Sequence, residues 1–214
     1  MTPVRTPTDL PYATLLGFTR YVARTGPTKA TFVGGLRRQR ASGGGFNPHG
    51  QLVKALKADI QFGTAGRHLV EVVDQVKPRW RPLYSALSQG ARRYLDSLGD
   101  LADVSLMPTH EALAMVDSLP VKISPHFGLR RADGQREAVR LHFDEDPPTR
   151  EATLATLHLM ASHMEQILPN AEPVLVDLRR GEAHRAGKSA GTPEVGRWLA
   201  GEAAAFAAMW RAAA

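Results

Sequence analysis

Basic side chains cluster on both sides of a short glycine-rich stretch at residues 43–45. Three arginines precede this stretch and two lysines follow it: Arg37, Arg38, Arg40, Lys54 and Lys57. Phosphate contacts need long cationic side chains and free backbone N–H groups, and glycines let a ligand approach the backbone closely. We therefore predict that these five residues contact the phosphates of a nucleic acid. The alternative is that the arginines complement a helix dipole and the glycines cap that helix.

A second basic group is interleaved with aromatic residues further along the chain. Lys77, Arg79 and Arg81 surround Trp80, and Tyr84 follows one helical turn later. Interleaved aromatic and basic side chains bind single strands by stacking and by charge. We expect these three basic residues to support the first group, although such aromatics also anchor helices in bundles.

The distribution of charge agrees with this assignment. Residues 1–100 hold 15 Lys and Arg against 6 Asp and Glu, whereas residues 101–214 hold 12 against 15. A basic half joined to an acidic half is typical of a chain whose first half meets a polyanion. The alternative is a solvated positive surface without a partner.

A third group of cations follows a period of two, which is the spacing of one face of a β-strand. Lys122, His126 and Arg130 share a face of one predicted strand, and Arg140 and His142 share a face of the next. Such a face could meet phosphates, or it could be the ordinary solvated side of an antiparallel sheet.

The alternative function is enzymatic. Asp144, Asp146 and Asp177 are the closest approximation to the acidic set of a metal-dependent nuclease, and loss of activity in Asp177→Ala would support that role. No sequence motif defines a catalytic chemistry, so we predict no cofactor. The chain has no cysteine, which excludes disulfides and thiolate metal sites and is typical of a reducing cytoplasm.

Apolar residues recur at helical spacing five times in the first hundred residues. The predicted helices span 8–24, 29–40, 48–60, 67–76 and 82–98. A short helix is predicted over 110–116. Period-two strands over 121–130 and 139–143 flank the turn residues Asp133 and Gly134, which predicts a β-hairpin. A helix over 149–168, a strand over 173–179 and a last helix over 193–211 follow.

These elements predict an α+β protein. An N-terminal helical bundle is followed by a small antiparallel sheet, built from a β-hairpin, a helix and a strand, and by a C-terminal helix. Residues 1–100 form the basic helical part and residues 101–214 the α+β part, although the two could make one compact unit. No apolar run is long enough to cross a membrane.

The last predicted helix carries an aromatic face. Trp198, Phe206 and Trp210 are separated by eight and four residues, so they lie on one side of the helix. This face could dock on the chain's own core or on a second copy. An assembly or regulatory protein, with a homo-oligomer formed through this helix, is therefore a further alternative.

Overall fold

The structure is a computed structural model that describes residues 10–43, 47–187 and 192–213. Its helices in these ranges are α1 (Leu15–Val22), α2 (Pro27–Ala41), α3 (Gly50–Phe62), α4 (Arg67–Gln75), α5 (Arg81–Ser97), α6 (Arg150–Ala161), α7 (Met164–Ile167) and α8 (Pro193–Ala212). The strands are β1 (Ala13–Thr14), β2 (Ser105–Met107), β3 (Ala112–Val116), β4 (Leu119–Ile123), β5 (Phe127–Arg130), β6 (Arg136–His142), β7 (Glu172–Asp177) and β8 (Glu182–Arg185). The predicted α+β class is confirmed.

Local chemistry accounts for where several helices begin. The side chains of Thr14 and Thr149 cap α1 and α6, each accepting a hydrogen bond of 3.1 Å from a backbone N–H in the first turn. Pro27 stands at the start of α2, where its missing N–H costs nothing. The first helix is shorter than predicted because residues 13–14 extend a sheet instead.

The strands form two sheets. The smaller has the order β1-β4-β3 and the larger the order β2-β5-β6-β7-β8. The predicted hairpin is present as β5 and β6, and Gly134 in its turn has a φ of +84°, which glycine adopts without strain. Strand β7 lies parallel to β6 because α6 crosses over between them, so the prediction of a purely antiparallel sheet is wrong at this pair.

Three further predictions in this region are wrong in detail. The predicted strand 121–130 is divided between the two sheets, since β4 ends at Ile123 and β5 begins at Phe127. The segment 110–116 contains strand β3 rather than a helix, because it pairs with β4. Strand β8, paired with β7, occupies a segment for which we predicted no strand.

The hydrophobic core has two parts, and both halves of the sequence contribute to each. The first core includes Phe18 of α1 and Trp210 of α8 together with the smaller sheet. The second core includes Leu56 of α3 and Leu87 of α5 against Val139 of β6. Alternation along β6 explains the division, because adjacent residues of a strand point to opposite faces. The larger sheet is therefore covered by helices on both faces.

One close approach sets the position of α5 on the larger sheet. A Cβ atom at Gly90 would lie 2.0 Å from the carbonyl oxygen of Leu178, which follows β7. Such a distance is far inside van der Waals contact, so only glycine allows the helix and the chain to come this close.

Ion pairs also join the two halves of the sequence. Lys29 of α2 binds Glu202 of α8, with Nζ 2.7 Å from Oε1, and Arg20 of α1 binds Asp144 after β6. Part of the basic excess of the first half is therefore neutralised within the fold. None of the helices in the described ranges is both long enough and apolar enough to cross a bilayer.

Candidate functional site

A cleft of about 440 Å³ opens between α1, the end of β6 and the beginning of α6. Its lining includes the apolar side chains of Leu15, Leu16 and Phe32. Three guanidinium groups, from Arg20, Arg24 and Arg140, line the same space, and we call it the arginine cleft. Its volume lies within the range of about 300 to 1,000 Å³ that is typical of small-molecule sites.

Arg20 is held in place by a carboxylate. Its Nε donates a hydrogen bond of 2.9 Å to Oδ2 of Asp144, and its Nη2 donates to Oδ1. Burial alone would raise the pKa of Asp144, but the hydrogen bonds and the charge of Arg20 hold this pKa below its usual range. Asp144 is therefore ionised at neutral pH and orients the guanidinium, which retains its Nη1 donors.

Arg24 lies one helical turn after Arg20 on α1. Its Nη1 donates a hydrogen bond to the carbonyl oxygen of Arg20, and its guanidinium carbon lies 3.9 Å from the centroid of the Phe32 ring. These contacts fix the position of the side chain while its remaining N–H groups stay available.

Arg140 belongs to strand β6, and its side chain lines the cleft. Its Nη1 donates a hydrogen bond of 2.7 Å to the carbonyl oxygen of Ser124. Within the described ranges, no carboxylate oxygen lies within 4 Å of this guanidinium. Burial, and then the nearby charge of Arg20, lower the pKa of Arg140 to about 10. The group is still charged at neutral pH, and it is a half-buried cation that pairs with no carboxylate in the described part of the chain.

The start of α6 adds positive potential to the arginine cleft. Pro148, Thr149 and Ala152 line it, so the first turn of this 12-residue helix faces the three guanidinium groups. The positive end of a helix dipole favours an anion there. Two carboxylates, Asp144 and Asp146, also line the cleft and oppose this effect.

A layer of rings packs at the end of β6. The ring of His49, just before α3, stacks on Phe143 with centroids 4.2 Å apart, and His126 packs edge-on against the same ring. His126 Nδ1 accepts a hydrogen bond of 2.9 Å from the backbone N–H of Leu141. Burial, and then the charge of Arg140, lower the pKa of His126 to about 2, so this ring stays neutral.

The structure divides the five basic residues predicted around the glycine-rich stretch. Arg37 and Arg40 lie near the C-terminal end of α8, where Arg37 Nη1 donates a hydrogen bond of 2.7 Å to the carbonyl oxygen of Trp210. The Arg40 guanidinium lies 4.5 Å from the ring centroid of Tyr12 and 5.3 Å from that of Trp210. Arg38 is exposed. Residues 44–46, which include two of the three glycines, lie outside the described residues.

The two predicted lysines lie on α3, the helix that packs in the second core. Lys54 is exposed, whereas Lys57 is half-buried and close enough to His126 for its charge to lower the pKa of that ring. The charge of Lys57 therefore reaches the ring layer at the end of β6, although neither lysine lines the arginine cleft.

The supporting basic group lies at a separate groove. Lys77 and Arg79 line a space of about 370 Å³ together with Trp80 and Tyr84. Arg81 is exposed, and its Nη2 donates a hydrogen bond of 3.3 Å to the carbonyl oxygen of Asp74. These three residues do not line the arginine cleft.

The acidic set predicted for a nuclease is dispersed as well. Asp177 is fully buried, and its carboxylate accepts hydrogen bonds from the backbone N–H groups of Arg179 and Arg180 and from the Arg180 guanidinium. Asp144 binds Arg20. Across residues 10–43, 47–187 and 192–213, no three Asp, Glu or His side chains are grouped so that they could hold a metal ion.

The predicted polar face of the hairpin contributes two residues to the cleft. Arg140 and His142 line it, and the Nε2 of His142 makes a hydrogen bond of 2.9 Å with the carbonyl oxygen of Asp146. Lys122 belongs to the smaller sheet and pairs with Glu111, with Nζ 2.7 Å from Oε2. Arg130 is exposed at the far end of β5.

Sequence reasoning missed Arg20 and Arg24 as candidates. One signal could have found them, since residues 10–58 contain eight Lys and Arg residues and no Asp or Glu. Every cation in this run that binds a carboxylate must therefore find it elsewhere in the chain.

The aromatic face of α8 is used inside the molecule. Phe206 and Trp210 are buried in the first core, with ring centroids 6.0 Å apart. A homo-oligomer formed through this helix stays a prediction.

Comparison with known proteins adds no assignment to this geometry. Neither the family models nor the curated proteins that were searched include a match to the sequence.

Proposed function

We propose that the protein binds nucleic acid, without catalysis, by taking a phosphate group into the arginine cleft. The observation that carries this proposal is Arg140, a half-buried cation that lines an open cleft and that, within the described residues, donates to a neutral carbonyl group and to no carboxylate. A charge that is partly withdrawn from water is costly unless it is paired, and an anionic ligand would pair with it.

Two lysines of α3 would add phosphate contacts outside the arginine cleft. Lys57 lies beside the ring layer, and Lys54 is one helical turn earlier on α3. Phosphate contacts of this kind bind without reading sequence, and each contact adds to the salt dependence of binding. The basic group around Trp80 would bind a neighbouring part of a long strand.

Fluorescence anisotropy with a labelled oligonucleotide tests the proposal. Binding should weaken steeply between about 50 mM and about 200 mM salt, as expected when phosphates release their counterions. Arg140→Gln removes the charge of this side chain and should weaken binding by about tenfold or more, the loss expected for charged hydrogen bonds. Arg136→Gln is the matched control, because Arg136 is exposed at the other end of the same strand.

Two results would overturn the proposal. One is the absence of binding to single-stranded and duplex probes at low salt. The other is equal affinity of the wild type, Arg140→Gln and Arg136→Gln, which would separate any binding from the arginine cleft.

A further inference from the structure

The three guanidinium groups of the cleft are positioned by the protein and still have donors to offer. An arginine side chain carries five N–H donors. Arg20 gives Asp144 its Nε and Nη2, Arg24 gives a carbonyl oxygen its Nη1, and Arg140 gives another carbonyl oxygen its Nη1. All three side chains line one concave space, so we expect their remaining donors to be within reach of a ligand there.

This arrangement matches one kind of phosphate better than another. A phosphodiester within a strand carries one negative charge, and the chain continues on both sides of it. A terminal phosphomonoester carries about −1.5 to −2 at neutral pH and offers three acceptor oxygens. Three guanidinium groups that line one cleft, together with the start of α6, favour the higher charge and the larger number of acceptors.

We propose that the arginine cleft binds the terminal phosphate of a nucleic acid strand, so that the protein recognises phosphorylated ends. This inference rests on the proposed function and specifies its ligand. The half-buried apolar side chains of Leu16 and Phe32, which also line the cleft, then receive the sugar or base of the last nucleotide. The volume of about 440 Å³ leaves room for more than the phosphate alone.

The acidic groups in the cleft are consistent with a fixed ligand orientation. Asp144 lies on the Arg20 side and Asp146 in the loop before α6. A phosphate avoids both carboxylates and is directed toward Arg24 and Arg140, which bind no carboxylate within the described residues.

Single-stranded oligonucleotides of one sequence, about ten nucleotides long, test the inference when they carry a 5′-phosphate, a 3′-phosphate or no terminal phosphate. We expect one phosphorylated form to bind at least about tenfold more tightly than the unphosphorylated strand. In Arg140→Gln this preference should disappear, and in Arg136→Gln it should remain. Arg24→Gln serves as a second cleft variant if Arg140→Gln does not fold.

The possible outcomes separate the two proposals. If all three strands bind equally and Arg140→Gln weakens all of them, phosphate binding stands and recognition of ends is overturned. If no strand binds, the proposed function itself fails. A nucleoside monophosphate serves as a further probe. If it binds as tightly as the phosphorylated strand, the phosphomonoester site stands and the nucleic acid assignment fails.

Discussion

Two groups of arginines in this protein have the same chemistry and different surroundings. Arg37 and Arg40, at the end of α2, lie against the C-terminal end of α8 and donate to a carbonyl oxygen or stack on rings. Arg20, Arg24 and Arg140 line an open cleft, and Arg140 contacts no carboxylate within the described chain. The first group is clustered in sequence, whereas the second is gathered from a helix and a distant strand.

The contrast shows that the density of charge along a sequence is a poor guide to where a ligand binds. Arginines near the end of one helix can stabilise the end of another, where backbone carbonyl groups lack partners. A binding site instead needs cations that the fold positions without pairing all of them with acids. Variants at the α2–α8 contact and at the arginine cleft test this difference.

The largest expected effect is a loss of stability when the α2–α8 contact is disrupted. Trp210 is 1% exposed and packs on Phe206, so Trp210→Ala should lower the free energy of unfolding by about 3 to 5 kcal/mol. Urea denaturation measures the change. Oligonucleotide affinity of the folded variant should stay within about twofold of the wild type, since the cleft is elsewhere. A loss below about 1 kcal/mol would contradict a structural role for this contact.

The next largest expected effect is a pH dependence of stability, which arises from the ring layer at the end of β6. The pKa of His126 falls from 6.5 in the unfolded state to about 2 in the folded state. Between these two pH values, the unfolded state therefore binds a proton that the folded state does not. Stability is therefore present above pH 6.5 and declines as the pH falls, by about 1.4 kcal/mol per pH unit. Between about pH 7 and about pH 5 the loss from His126 is about 2 kcal/mol.

His126→Asn separates this contribution from those of other groups. Its amide oxygen can still accept the hydrogen bond from Leu141, but it does not titrate. The variant should lose about 2 kcal/mol less stability than the wild type over the same pH range, as measured by urea denaturation. His49, whose pKa burial also lowers, acts with the same sign and remains in the variant. Identical pH profiles would show that His126 is not held neutral.

A direct comparison of the two arginine groups follows from the double variant Arg37→Gln, Arg40→Gln. We expect the free energy of unfolding to fall by about 1 kcal/mol, as donor and ring contacts are lost. Oligonucleotide affinity should change by less than about threefold, against about tenfold for Arg140→Gln. If the double variant binds as weakly as Arg140→Gln, the α2 arginines belong to the interface, as the sequence alone predicts.

The smallest expected effect is a gain in affinity. Asp144→Asn removes a carboxylate that repels phosphate and frees the Arg20 donors, so oligonucleotide affinity should rise by about threefold. Stability should fall by less than about 1 kcal/mol, since the pair is partly exposed. Anisotropy titrations measure the affinity. Weaker binding would show that Asp144 acts mainly by orienting Arg20, and that phosphate does not compete with it.

Much of the fold follows from local signals in the sequence. Helices α2 to α5 and α8 form where apolar residues recur at helical spacing, and the hairpin turns at Asp133 and Gly134. The division of the predicted strand 121–130 could not be predicted in this way. Its alternation is continuous, and only pairing partners from distant segments assign β4 and β5 to different sheets.

The candidate site could be predicted only in part. Arg140 and His142 were found because period-two spacing places them on one strand face, and both line the cleft. Arg20 and Arg24 could not be connected with them, because a separation of more than a hundred residues leaves no local pattern. Asp177 looked like a catalytic carboxylate, but its hydrogen bonds are used to hold the turn that follows β7.

The sequence by itself determined the α+β class, most of the helices, the hairpin and the basic character of the first half. These properties depend on neighbouring residues and on periodicity, which a linear chain displays directly. Only the tertiary structure decided which cations are paired and which are left to meet a ligand. Burial and pairing depend on residues far apart in sequence, so the surroundings of Arg140 exist only once the chain has folded.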